Sequence, residues 1–193
     1  ECFNSAEQKR LEEAVMTSKK QKLLGIIICL YTGLRIGELL ALTWNDVDFE
    51  KSEINVSKSC YCGEHGRVVD SAKTEHSKRV IPLSKQVLKI LRMMKKTSGS
   101  EYIVSSKGKP VTTRSYQRTF ELLLKNLHIP HRGFHALRHT FATRALECGM
   151  DVKTLSEIMG HKNSTITLNR YTHSLAEHKR AMMNKLGKFL DFE

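Results

Sequence analysis

His135-Ala136-Leu137-Arg138-His139-Thr140, followed by Gly160-His161 and then by Asn169-Arg170-Tyr171, is the stretch that decides how this 193-residue chain reads. Residues three apart on a helix share a face, so a helix over 135–148 presents His135 and Arg138 together. Gly149 and Gly160 stand where helix ends belong, and Asp151 stands where an N-cap belongs. Three helices therefore follow one another, over 135–148, 151–159 and 163 to about 170.

Outward from there, helical spacing continues over 113–127 and over 84–96, where Val87, Leu88, Leu91 and Met94 form one apolar face. Near the start, Ser5-Ala6-Glu7-Gln8 has the form of a capping box opening a first helix with Leu11, Ala14 and Val15 inward. A second helix from about Lys20 to Tyr31 ends at Thr32-Gly33, and a short third covers Arg35 to Leu42. Between these blocks the apolar period drops to two. Ile54 and Val56, Val68-Val69, and Val80-Ile81 mark three short strands, with Lys73 in the turn before the last. The fold class expected is α+β: one mostly α-helical domain over residues 1–193 with a small three-stranded antiparallel sheet.

The formal net charge of +12 and a pI near 9.6 point to a polyanionic partner, because Lys and Arg neutralise phosphates and release their counterions. The longest apolar run, Ile26 to Tyr31, is far too short for a membrane span. Five cysteines, an odd number in a chain long enough to bury a core, suit reduced thiols in a cytoplasm. Cys60, Cys62 and His65 are spaced more tightly than structural zinc ligands and lack a fourth partner nearby, so an exposed hairpin tip is the simpler reading and no metal is expected.

The two arginines, the histidines and the tyrosine together suit attack on a phosphodiester. Charge grows on the non-bridging oxygens of five-coordinate phosphorus, and fixed guanidiniums, Arg35 and Arg138, are the donors best matched to it. Tyr171 would attack as phenolate once His135 took its proton, and Lys73 would protonate the departing 5′ oxygen. Singly, each residue has a plainer reading. Arg35 pairs with Glu38, the histidines are ordinary packing residues, Lys73 is one of several cations on its sheet, and Tyr171 packs near a helix end. Their joint order favours the chemical reading.

These residues resemble the catalytic domain of the tyrosine recombinases, the phage-integrase family, and especially integrases of mobile elements and conjugative transposons. The resemblance covers nearly the whole chain. It is carried by Thr32 to Leu39, by Lys73-Thr74 with Arg79-Val80-Ile81-Pro82-Leu83, by His135 to Thr143, by Leu155 to His161 and by Asn169 to His173. It implies Arg35 and Arg138 as the phosphate clamp, Lys73 as general acid, His135 as general base or phosphate ligand, and His161 as a further phosphate contact. Tyr171 becomes the nucleophile that forms a 3′-phosphotyrosyl link.

The resemblance also implies double-stranded DNA as substrate, strand exchange through a Holliday junction and a tetramer of the full-length protein on DNA. No metal, nucleotide or other cofactor enters, and the setting is a bacterial cytoplasm. The core-binding and arm-binding domains that such proteins carry upstream are not in this sequence. Arg114, Gln117 and Arg118, on one predicted helix, are the candidates for tracking phosphates. The segment from Leu175 to Phe192 has an apolar stripe at Met182, Leu186, Phe189 and Leu190, to be folded on its own core or on a neighbouring protomer.

Three other functions compete with this one. Asp151 to Tyr171 also reads as a helix-turn-helix of a regulator without chemistry, which leaves Arg35, Lys73 and His135 unexplained. Asp46, Asp48 and Glu50 alternate as metal ligands might in a nuclease, although turn formation after Trp44-Asn45 accounts for them more simply. A type IB topoisomerase shares the chemistry and differs in not exchanging strands between two duplexes.

Overall fold

The structure is a computed structural model that describes residues 2–64, 66–71, 78–161, 179–180 and 182–188. Seven α-helices between residues 5 and 159, two short 3-10 turns and seven short strands lie in these segments. The helices are α1 (Ser5–Thr17), α2 (Leu24–Thr32), α3 (Ile36–Ala41), α4 (Lys85–Lys96), α5 (Thr113–Asn126), α6 (His135–Glu147) and α7 (Val152–Met159). A further helical stretch covers 179–180 and 182–188. None of the described helices is long and apolar enough to cross a membrane.

Helix α2 is the centre of the core. Leu24, Ile26, Ile27, Ile28, Cys29 and Leu30 are all buried, so the helix is apolar on every side and must be surrounded. Helices α1, α4 and α6 pack against it. Each buried Ile or Leu there contributes about 1.5–3 kcal/mol. Phe3, Phe120, Phe134 and Tyr116 stack edge-on or tilted between α5 and the approach to α6, with centroids 5.1–6.3 Å apart. Tyr116 donates its hydroxyl to the Lys22 carbonyl at 2.7 Å, which satisfies the one polar atom it brings into the core.

The ends of the helices follow the sequence closely. Asp151 accepts from Thr154 N at the start of α7, and Gly160 closes it in the left-handed region. Gly33 closes α2 at φ 68°, a conformation that only glycine adopts without strain. The first cap differs. Asn4, one residue earlier than expected, accepts from Glu7 N at 2.8 Å, while the Glu7 carboxylate takes Asn4 N at 3.0 Å. The pairing needs the Glu at the third helical position, which makes Ser5 the first helical residue and not the cap.

The strands are β1 (Val47–Asp48), β2 (Glu53–Val56), β3 (Lys58–Gly63), β4 (Gly66–Ser71), β5 (Arg79–Pro82), β6 (Ser105–Ser106) and β7 (Lys109–Pro110). A three-stranded antiparallel sheet is present, in the order β1-β2-β5. The expected middle strand at Val68-Val69 is not part of it. That segment, β4, pairs with β3, because Lys58 to Gly63 continues as strand and offers it an edge. The registers place Arg79 opposite Val56 and Ser71 opposite Lys58. Residues 72–77, and Lys73 with them, lie outside the described residues.

Candidate active site

Of the predicted residues, Arg35 and Arg138 reach the end of α7, where Arg79 joins them. Three consecutive carbonyls of its last turn each accept from a different arginine: Ile158 from Arg79 Nε, Met159 from Arg138 Nη2 at 2.6 Å, and Gly160 from Arg35 Nη2 at 3.4 Å. These carbonyls have no acceptor role left inside the helix, and the negative end of the helix dipole favours cations there. His161 follows directly. It is half-buried, and its backbone N–H donates to the Ser156 carbonyl at 3.0 Å.

Arg35 stands at the N-cap of α3, on the turn set by Gly33-Leu34. Its backbone N–H donates to Glu38 Oε2 at 2.8 Å and its Nη1 to Glu38 Oε1 at 2.7 Å. The plainer reading of Arg35 as a partner of Glu38 is thus true of the structure. It does not exhaust the residue, since the Arg35 side chain stays 38% exposed. Gly37, two positions on, lets α3 lie directly on β3. A Cβ there would meet the Cys60 carbonyl oxygen at 2.5 Å and Ser59 Oγ at 2.6 Å.

Arg138 is 2% exposed, among the largest buried side chains of the protein. Its Nη1 donates to the Gly33 carbonyl at 2.7 Å, so one guanidinium ties the end of α2 to the end of α7. His135, one turn earlier on α6, is exposed and lies edge-on to His139 with centroids 4.7 Å apart. Arg132, Gly133, His135, Ala136 and His139 line a concavity of about 330 Å3. The loop carrying this surface is fastened from behind. Arg132 donates to Glu7 at 3.1 Å and lies over the Phe3 ring, while Thr140 Oγ1 accepts Phe3 N at 2.9 Å.

Two groups to which the sequence assigned no part in the chemistry, Glu38 and Arg79, complete the arrangement. Glu38 is 4% exposed. Burial alone would raise its pKa, but hydrogen bonds and charge from Arg79, then Arg35, bring it down from 4.5 to about 2. Arg79 supplies Nη1 and Nη2 to the two Glu38 oxygens at 3.0 and 2.9 Å. A signal for Arg79 exists in the strand period. It is in phase with buried Ile81, while Val80 between them is 51% exposed, so an arginine occupies an inward position. Beneath them lies the buried Cys29, whose thiol burial and Glu38 push up while Arg138 lowers it.

Arg35, Arg138 and His161 are therefore brought together, with His135 on the Arg138 helix. Lys73 and Tyr171 lie outside the described residues. Arg114, Gln117 and Arg118 are exposed on α5, opposite its buried Tyr116, Phe120 and Leu124. Asp46 accepts from Thr43 and from Lys58 Nζ at 2.9 Å, and Asp48 accepts from Glu50 N and Lys51 N, as turn residues do. Cys60 is buried and Cys62 exposed, and His65 lies outside the described residues. Of the tail, Met182 reaches Gly149, while Met183 and Leu186 are 65% and 46% exposed.

The model of the phage integrase family matches residues 2–178. Among curated relatives, a tyrosine recombinase XerC-like protein of Caldanaerobacter subterraneus subsp. tengcongensis is 32% identical over 97% of this chain and 54% of its own length. The transposase from transposon Tn916 of Enterococcus faecalis is 33% identical over 84% of this chain and 45% of its own. The chain spans about half the length of the curated relatives it matches. Among solved structures, the Tn1549 transposon integrase in complex with transposon right end DNA superposes with a TM-score of 0.84 at 32% identity, covering 97% of this chain and 66% of that one. The lambda integrase tetramer bound to a Holliday junction shares the fold, with a TM-score of 0.65 at 23% identity. By its matched length, its relatives and its fold, this chain belongs to the phage integrase family of tyrosine recombinases.

Proposed function

We propose that this chain is the DNA-breaking and joining domain of a site-specific recombinase of a mobile element. The observation that carries the reading is the convergence of Arg35 and Arg138 on successive carbonyls beside His161, with His135 on the helix of Arg138. In this mechanism the two guanidiniums bind the non-bridging oxygens of one phosphate. His135 takes the proton of Tyr171, and the Tyr171 oxygen forms a bond to phosphorus as the bond to the 5′ oxygen breaks. Lys73 gives that oxygen its proton and a 5′ hydroxyl leaves. His161 holds the phosphate.

The phosphotyrosyl diester keeps the energy of the bond it replaced, so a 5′ hydroxyl from a second duplex reverses the step without metal or nucleotide. Double-stranded DNA is the substrate, and a tetramer of the whole protein on DNA is the exchanging assembly. This domain is one part of that protein, which works on DNA in a bacterial cytoplasm. The relatives' names and the DNA-bound integrase structures support this reading.

The test uses a pool of duplexes with a nick beside a randomised core. The protein is incubated with the pool in EDTA, and adducts that survive denaturation are recovered, sequenced and mapped by mass spectrometry. The expected result is a band whose DNA is attached to Tyr171, lost in Tyr171→Phe while duplex binding remains. An adduct that persists in Tyr171→Phe, or none from any duplex, overturns the proposal. Adducts that never join a second duplex would favour a topoisomerase.

A further inference from the structure

We propose that Arg79 is a positioning residue that holds Arg35 in its working geometry through Glu38 and locks the end of α7 to both. The inference rests on the recombinase reading above. Arg79 has one task on each side of its planar fork. Nη1 and Nη2 grip both oxygens of Glu38, and Nε donates to the Ile158 carbonyl. Its side chain is 6% exposed, so these bonds form away from water and at a fixed angle.

The geometry makes Glu38 a shared anchor. Without Arg79, the carboxylate would be left, among the described residues, with Arg35 to neutralise it and would draw the Arg35 guanidinium fully onto itself, away from a phosphate. With Arg79 in place, Glu38 Oε1 is shared between the two arginines at 2.7 and 3.0 Å. The Arg35 guanidinium is steered by a partner that does not need its whole charge. Gly160 is part of the same fitting. A Cβ there would lie 3.0 Å from Arg79 Nη1 and 3.1 Å from Arg79 Cδ, so the turn into His161 closes against the Arg79 side chain itself. Lysine has a single ammonium and cannot span Glu38 and the Ile158 carbonyl at once.

Among the described residues, the charged and titratable groups facing Glu38 are Arg35 at the head of α3, Arg79 on β5 and Cys29 on α2, with Arg138 of α6 acting on the same Cys29. Removing Arg79 takes away the larger of the two described counter-charges that oppose burial, and Glu38 then takes up a proton at a higher pH. This gives a readout that mere damage to the fold would not move.

The experiment measures the rate of covalent adduct formation from pH 5 to 8 on a nicked duplex recovered from the randomised pool, with melting temperature and duplex affinity beside it. Arg79→Met should slow the adduct at least thirtyfold at neutral pH with affinity within threefold, and should regain part of that loss as pH falls and Glu38 takes up its proton, a rise that Arg79→Met/Glu38→Gln lacks. Arg79→Lys should lack this rise yet remain about tenfold slow. An Arg79→Met rate within threefold of the parent overturns the inference, as does an equal loss in Arg79→Met and Arg79→Lys at every pH. If Arg79→Met does not fold, a folded Arg79→Lys at the parent rate overturns it. Failure of the parent protein to form any adduct would instead remove the recombinase reading, and this inference with it.

Discussion

Replacing Glu38 with glutamine should make the protein's stability less dependent on acid, by an amount the structure sets. The carboxylate is 4% exposed and its pKa is brought from 4.5 to about 2, burial being outweighed by Arg79 and Arg35. A carboxylate whose folded value is depressed stabilises the fold at every pH above its unfolded value. That contribution is lost as pH falls from 4.5 through about 2. At pH 7 the full difference is about 3 kcal/mol, and at pH 3 somewhat over 1 kcal/mol of it remains. Urea unfolding of the parent and of Glu38→Gln at both pH values gives the comparison. Other acids titrate equally in both proteins, so the gap between them isolates Glu38. Glu38→Gln should be the less stable by about 3–5 kcal/mol at pH 7, since it leaves buried guanidiniums without their counter-charge. The gap should shrink by about 2 kcal/mol at pH 3. A gap that stays the same at the two pH values refutes the assignment of Glu38 as the carboxylate held ionised by this pair.

Gly37→Ala should cost about 1–3 kcal/mol in the same unfolding assay, because its Cβ would press on the Cys60 backbone carbonyl, which has no rotamer to yield. It should also slow adduct formation by displacing Arg35; unchanged stability would mean that α3 and β3 separate easily. Arg114→Ala and Arg118→Ala should each weaken duplex binding and lower the slope of log affinity against log salt by about 1. An unchanged slope in both would take the exposed face of α5 off the DNA.

Much of the helical framework was legible because its signals are local. Gly33, Gly160 and Asp151 act on their own turn, and the apolar face of α4 repeats on its own helix. The strands were harder. Nothing within Val68-Val69 says whether its partner is the 53–56 segment or the 58–63 segment, since pairing is decided between distant residues. The one-residue shift of the first cap has a similar cause: both Asn4 and Ser5 can cap, and Glu7 selects the one three positions before it. At the site, His135 and Arg138 could be paired from helical spacing alone. Arg79 and Glu38 are 41 residues apart, and only the fold reveals that they share two hydrogen bonds.

The charge balance at the end of α7 connects these points. Among the described residues, Arg35, Arg79 and Arg138 converge there, and the Glu38 carboxylate pairs with Arg35 and Arg79. Arg138 is held by the carbonyls of Gly33 and Met159, whose dipoles orient a guanidinium without cancelling its charge. Among these four described side chains, three cations against one anion leave a formal excess of two. A phenolate attacking a phosphodiester brings two negative charges to the five-coordinate phosphorus, one from each reactant. The site thus meets that charge with donors already fixed in place, which is where electrostatic catalysis gains most. Carbonyl partners keep the guanidinium both positioned and charged.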